Sequence, residues 1–228
     1  MLYIVATPIG NLSDISLRAL ETLKSVDLIL CEDTRVTRKL LTHYQISKPV
    51  LSYHQHSKIS KIDHIIDLLK SGQNLALVSD AGTPTISDPG SVLISEVLKA
   101  LPQLEIVAIP GACALITLAS AAGWPVDRFL FLGFLPIKNK RTKFIEEIIS
   151  SKYPVIFYES IYRLKKTLNN IQSLSEKNNI VLEVVIGREL TKKFETIYRG
   201  ELKLIINQLS ELDLKGECVV AIRKIVEI

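Results

Sequence analysis

Val78-Ser79-Asp80-Ala81-Gly82-Thr83-Pro84-Thr85-Ile86-Ser87-Asp88-Pro89-Gly90 decides how this chain is read. It continues a short apolar run, 74–79, of strand length, and it leads into an amphipathic stretch, 89–101, of helix length. Residues 78–90 hold small polar residues, two glycines and two prolines. Glycine permits close backbone approach and unusual dihedrals, and proline stiffens a loop. Such a segment at the end of a strand exposes backbone N–H and C=O groups that can hold a small polar ligand. In an open parallel α/β sheet, ligands bind at the carboxyl ends of the strands.

The same grammar repeats on both sides of this stretch. Strands are predicted at 2–6, 27–31, 50–53, 74–79 and 105–109, and helices at 16–25, 35–44, 57–71, 89–101 and 112–122. In 57–71, Ile62, Ile65, Ile66 and Leu69 take the i, i+3, i+4, i+7 spacing of a packed helix face. Strands that are apolar throughout and alternate with helices predict a parallel sheet covered on both faces. Three further strand ends carry Gly, Pro and small polar residues: Thr7-Pro8-Ile9-Gly10-Asn11-Leu12, Glu32-Asp33-Thr34-Arg35 and Pro110-Gly111-Ala112-Cys113. One such turn is ordinary. Four on one sheet edge predict one pocket.

Gly123-Trp124-Pro125 breaks the rhythm. Strands are then predicted at 128–132, 154–158, 180–186, 194–199 and 217–223, and helices at 139–151, 160–175 and 201–210. The short links predict a mixed sheet. The fold class is therefore α/β with two domains, 1–115 with a mostly parallel sheet and 116–228 with a mixed one.

Composition narrows the function classes. Of 228 residues, 47% are hydrophobic and 23% charged, a globular balance. Residues 115–228 hold 18 Lys+Arg against 13 Asp+Glu, net +5, whereas residues 1–114 are net −1. A positive second half suits a polyanion. Cys31, Cys113 and Cys218 form no CxxC pair, so neither zinc nor a disulfide framework is indicated. His54-Gln55-His56 has no Cys or carboxylate beside it and is read as a loop, not a metal site. No signal peptide or membrane span is evident, which predicts a cytoplasmic protein. GxGxxG, GxxxxGK[ST] and GxSxG are all absent, which argues against dinucleotide, P-loop and nucleophile-elbow chemistry.

The motifs resemble those of the ribosomal RNA small-subunit methyltransferase I family, in the tetrapyrrole methylase superfamily. The resemblance is carried by Val5 to Leu12, Glu32 to Arg35, Val78 to Gly90 and Ile109 to Ala112. In the second half it is carried by Phe157-Tyr158-Glu159-Ser160 with Arg163, and by Gly187-Arg188-Glu189-Leu190-Thr191-Lys192 with Glu195. It departs at Ile161-Tyr162, where the family usually has Pro-His; Tyr162 could stack on a base. Relatives are commonly longer, with a basic C-terminal extension. The resemblance implies a cleft between the domains, a homodimer, and S-adenosylmethionine as methyl donor. It implies that the donor is held by Pro8, Ile9, Gly10, Asp80, Gly82, Thr83, Pro84, Ile86, Ala112 and Cys113, with Tyr158 and Arg188 from the second domain. The implied substrate is a cytidine of the decoding region, methylated on its ribose 2′-oxygen.

A neutral thioether leaves without acid assistance, so the protein must supply alignment and an acceptor near the weakly nucleophilic hydroxyl. Asp33 and Asp80, both on pocket-facing turns, are the candidates. Asp33 has a second reading, as a helix cap or the partner of Arg35. Arg35, Arg163, Arg188, Lys192 and Lys193 are candidate phosphate contacts, and the cluster 138–143 is a further basic one. Two alternatives stay open: a tetrapyrrole, other small-molecule or protein methyltransferase of the same fold, and a non-catalytic RNA-binding module.

Overall fold

A computed structural model describes residues 1–54, 59–88, 90–137, 141–210 and 215–225. Gln55, His56, Pro89, residues 138–140 of the basic cluster and the last three residues lie outside the described set. The chain divides into two units, Met1–Cys113 and Ala114–Ile228.

The first unit alternates strands and helices: β1 (Leu2–Val5), α1 (Leu17–Ser25), β2 (Leu28–Cys31), α2 (Thr34–His43), β3 (Val50–Ser52), α3 (Ile59–Lys70), β4 (Leu75–Leu77), α4 (Gly90–Ala100) and β5 (Ile106–Ile109). A 3-10 turn at Leu12–Asp14, not foreseen from the sequence, follows β1. The five strands pair in the order β3-β2-β4-β1-β5, all parallel. Alternate residues of each apolar strand serve opposite faces. Leu2, Ile4, Leu30, Leu75 and Leu77 pack with Ile65, Leu69, Leu93 and Val97 of α3 and α4. Val5, Ile29, Cys31, Ala76 and Val78 pack with Ala19, Leu23 and Leu41 of α1 and α2. Burial on both faces is why these strands read as unbroken apolar runs.

The second unit comprises α5 (Ala114–Ser120), β6 (Leu130–Phe134), α6 (Arg141–Ser150), β7 (Val155–Ser160), α7 (Ile161–Lys177), β8 (Leu182–Arg188), β9 (Thr196–Glu201), α8 (Leu202–Ser210) and β10 (Glu217–Lys224). Strand order is β6-β7-β10-β8-β9; β6 and β7 are parallel and the remaining pairs antiparallel. Strands β6, β7 and β8 therefore end on one edge, where β9 and β10 begin. Ile161, Leu164, Leu168 and Ile171 form the stripe by which α7 joins α6 and α8 on one face. Helix α5 packs on the other face. There Gly187 leaves no room for a side chain: a Cβ would stand 2.8 Å from both Leu118 and Leu190.

Val155 and Phe157 point into the helical face, and Glu159 follows in the same phase, wholly buried. Its Oε1 accepts Ser160 N at 2.8 Å and faces Arg163 Nη2 at 2.5 Å. Its Oε2 accepts the Thr167 hydroxyl at 2.6 Å and lies 3.5 Å from Arg141 Nη2. One carboxylate thus ties the end of β7 to α6 and α7. Arg141 Nε and Arg163 Nη1 are buried with no partner among the described residues, so the two guanidiniums depend on this one counter-charge. Removing one member of a buried pair strands the other. Glu159→Ala is expected to lower unfolding free energy by about 3–5 kcal/mol in urea titrations. Far-UV circular dichroism at low urea should report a folded variant.

Candidate active site

The four candidate turns follow β2, β4, β1 and β5, which are neighbours in the sheet in that order. Parallel pairing puts all four turns on one edge. Hydrogen bonds then stitch them together. Thr7 N donates to Gly82 O at 2.9 Å, and Gly82 N donates back to Thr7 O at 3.1 Å. The buried Thr7 hydroxyl reaches Ser79 O at 3.1 Å, and Ser79 Oγ reaches Gly82 O at 3.0 Å. The Thr83 hydroxyl donates to Ala112 O at 3.1 Å, which joins the turn after β5. Asp33 N donates to Asp80 Oδ1 at 3.0 Å, which joins the turn after β2.

Two glycines are required by this closeness. Gly82 has φ +84°, and a Cβ there would meet Ile9 Cγ2 at 3.2 Å and Ala112 O at 3.4 Å. At Gly111 a Cβ would stand 2.8 Å from that of Ala6. Beyond Gly82 the segment is strained. Thr85 and Ser87 take φ of +76° and +67°, a region costly for a β-branched residue. Asp88 braces the segment, its Oδ1 accepting Thr85 N at 2.5 Å and Gly90 N at 3.3 Å. Pro8 and Pro84 are buried, Ile9, Thr83, Ala112 and Cys113 are half-buried, and Gly10, Asp80 and Ile86 are exposed. The ten first-unit residues that the resemblance assigned to a donor are thus brought onto one edge. Tyr158 and Arg188 lie at the ends of β7 and β8 in the second unit. Tyr158 packs against Phe131 and Phe134, each with ring centroids 5.2 Å away.

Asp33 is not a poised base. It caps α2, accepting Arg35 N at 2.8 Å, and it grips the Arg35 guanidinium at 2.6 Å. These bonds hold its carboxyl down to about 2. A carboxylate so satisfied is a weak proton acceptor, and the cap-and-pair reading replaces the catalytic one.

Two phosphate candidates are corrected on similar grounds. Arg163 is committed to Glu159. Lys192 lies between Glu189 at 3.0 Å and Glu217 at 2.8 Å. Arg35 is largely exposed although paired with Asp33; Arg188 gives Nη1 to Phe194 O at 2.9 Å; Lys193 is exposed.

Glu32 was missed. It continues the phase of Leu28 and Leu30 beyond β2, toward the α4 side of the sheet. Burial, then the charges of Asp88 and Asp80, push its carboxyl up to about 6. Burial raises Asp88 as well. A carboxylate in phase with an apolar strand face was the available signal. Among the described residues no group of His, Cys, Asp and Glu could hold a metal ion. No helix among the described residues is long and apolar enough to cross a membrane.

Comparison with known proteins gives the family and the fold. The family model of the tetrapyrrole (corrin/porphyrin) methylases matches residues 1–205. A ribosomal RNA small subunit methyltransferase I of Mycoplasmopsis pulmonis is 49% identical over 216 residues, which cover 95% of this chain and 94% of the relative. One from Synechocystis is 45% identical, covering 96% and 78%. Among solved structures, a diphthine synthase superimposes with TM-score 0.70 at 14% identity, covering 96% and 88%. A cobalt precorrin-4 methyltransferase superimposes with TM-score 0.67 at 19% identity, covering 96% and 93%. These two likenesses show the fold.

Glu32 generates a test. Its folded carboxyl keeps a proton up to about 6, whereas an ordinary one loses it near 4.5. The neutral form therefore stabilises the fold below the lower value, and that contribution is lost as pH rises through the upper one. Glu32→Gln is expected to be more stable than the parent at pH 8, on the order of 1 kcal/mol after solvent screening. The two should be equal near pH 4, by urea denaturation at both pH values.

Proposed function

This chain belongs to the tetrapyrrole (corrin/porphyrin) methylases, within the ribosomal RNA small subunit methyltransferase I group, and from that premise we propose that it methylates the ribose 2′-oxygen of a cytidine in the decoding region of small-subunit ribosomal RNA. The chain is a methyltransferase, and S-adenosylmethionine is the family's methyl donor. The observation that carries the reading is the stitching of four turns through Thr7, Gly82, Thr83, Ala112, Asp33 and Asp80. Their edge is lined by backbone amides and carbonyls beside apolar Pro8, Ile9, Pro84 and Ile86. That mixture suits a ligand with an adenine ring, a ribose and a zwitterionic tail, and glycine at positions 82 and 111 lets the backbone come close.

When bound, the donor supplies a methyl group on a sulfonium that leaves as a neutral thioether. The protein has to fix direction. Turns braced by their own hydrogen bonds do this without reorganising at the moment of reaction. Asp80, anchored through Oδ1 to Asp33 N, is assigned as the acceptor that orients the ribose hydroxyl. Glu32 is a neighbouring carboxylate; burial, then the charges of Asp88 and Asp80, push its carboxyl up to about 6. Tyr158 and Arg188 are assigned to the donor from the second unit by resemblance alone. Arg35, Arg188 and Lys193 are assigned to RNA phosphates. An enzyme of ribosomal RNA works in the cytoplasm, and the resemblance makes it a homodimer.

Three expectations follow from these assignments. Gly82→Val should weaken S-adenosylmethionine binding at least about tenfold by isothermal titration, because the new side chain displaces Ile9 and Ala112. Asp80→Asn should lower kcat about a hundredfold on unmethylated small subunits. Affinity for small subunits should fall about twentyfold between 50 and 200 mM salt if three phosphates are engaged. A flat salt profile removes the phosphate assignments. Methyl transfer to a porphyrinogen but not to small subunits removes the RNA reading.

A further inference from the structure

Among the described residues, three aromatic side chains are exposed: Phe134 at 61%, Tyr162 at 89% and Phe194 at 66%. All three lie at one edge of the second sheet. Phe134 ends β6, Tyr162 begins α7 directly after β7, and Phe194 sits in the 189–195 connection between β8 and β9. Strands β6, β7 and β8 end on this edge, and β6 and β8 are three strand spacings apart, roughly 14 Å.

Phe194 is held outward by construction. Glu189 and Thr191 take φ of +51° and +65°, conformations unusual for residues other than glycine. Glu189 Oε1 accepts Glu217 N at 2.9 Å and Lys192 Nζ at 3.0 Å, and Glu195 accepts Thr191 N at 2.5 Å. Arg188 Nη1 fixes the Phe194 carbonyl at 2.9 Å. Gly216 makes room for the Glu189 side chain, which would collide with any Cβ there. Strain and four hydrogen bonds are thus committed to a loop whose apolar tip gains nothing from the core. Lys193 Nζ stands 5.6 Å from the Phe194 ring. The carboxylates of this edge have internal partners: Glu159 in the two arginines, Glu189 and Glu217 in Lys192, Glu195 in Thr191 N. Among the described residues Lys193 is an exposed cation beside the aromatic tip, in a half of the chain that is net +5.

We infer that this edge is a base-stacking surface on which Phe194, with Phe134 and Tyr162 beside it along the edge, takes unpaired bases of the RNA substrate while Lys193 meets the adjoining phosphate. Unpaired bases are read by stacking on aromatic side chains, and the combination with a cation is characteristic of single-strand binding. The inference rests on the reading of the chain as an RNA methyltransferase and adds to it the residues that grip the strand.

The test uses the full chain. Phe194→Ala should raise KM for unmethylated small subunits about tenfold, with kcat within twofold and S-adenosylmethionine affinity unchanged by calorimetry. Phe194→Trp should restore KM. Because the native Trp124 is buried, the new tryptophan reports directly, and single-stranded oligocytidine should quench its emission. Wild-type KM in Phe194→Ala, or an unquenched tryptophan, overturns the surface while leaving the RNA reading intact. A change of sedimentation from dimer to monomer in Phe194→Ala assigns the edge to a second copy of the chain and overturns it too. No wild-type activity on small subunits overturns the RNA reading and this surface with it.

Discussion

The reciprocal backbone pair between Thr7 and Gly82 is the constraint on which the candidate site depends. It lies beyond the ends of β1 and β4, so it is extra to the sheet. It forces two turns together where side chains would ordinarily separate them, and a left-handed glycine makes that approach possible. From this pair the other links extend: Ser79 and Thr7 below it, Thr83 to Ala112 on one side, Asp80 to Asp33 on the other. A sheet edge of independent turns would be mobile. One laced across four adjacent strands can hold a ligand in one orientation, which is what an in-line methyl transfer needs.

Charge is handled differently in the two units. In the first, the carboxylates Glu32, Asp80 and Asp88 lie near the strand ends, and burial first, then the charges of Asp88 and Asp80, raises the carboxyl of Glu32. In the second, positive charge is partly consumed inside. Arg141 and Arg163 neutralise Glu159, and Lys192 bridges Glu189 and Glu217. Counting basic residues therefore overstates what the second unit offers to a polyanion. Its exposed aromatics matter correspondingly more. Cys218 belongs to the same interior: burial first, then the charge of Glu159, pushes its thiol up to about 12, so it is chemically inert.

Much of this was legible in the sequence because apolar period and turn chemistry act locally. The five parallel strands and the mixed sheet followed from run lengths and from the short link before Thr196. The edge that gathers Pro8, Gly82 and Ala112 followed from one rule about strand ends. Side-chain partnerships were less legible. Asp33 and Arg35 are adjacent in sequence, yet only coordinates decide between a base and a cap. Glu159 continued the buried phase of Val155 and Phe157 with Arg163 four residues on, a pattern that signals a buried ion pair once phase is considered. Glu32 offered a similar signal after Leu28 and Leu30. Phe194 offered none, since its exposure results from anchors at Glu189, Thr191 and Arg188 that a linear reading does not reveal.

Hydrogen–deuterium exchange with and without S-adenosylmethionine addresses the central claim most directly. If the laced turns hold the donor, protection in the first unit should appear together at 7–12, 79–88 and 110–113, and helices α1 and α3 should be unchanged. Protection confined to a single turn, or found in the first unit only away from these segments, would contradict the account.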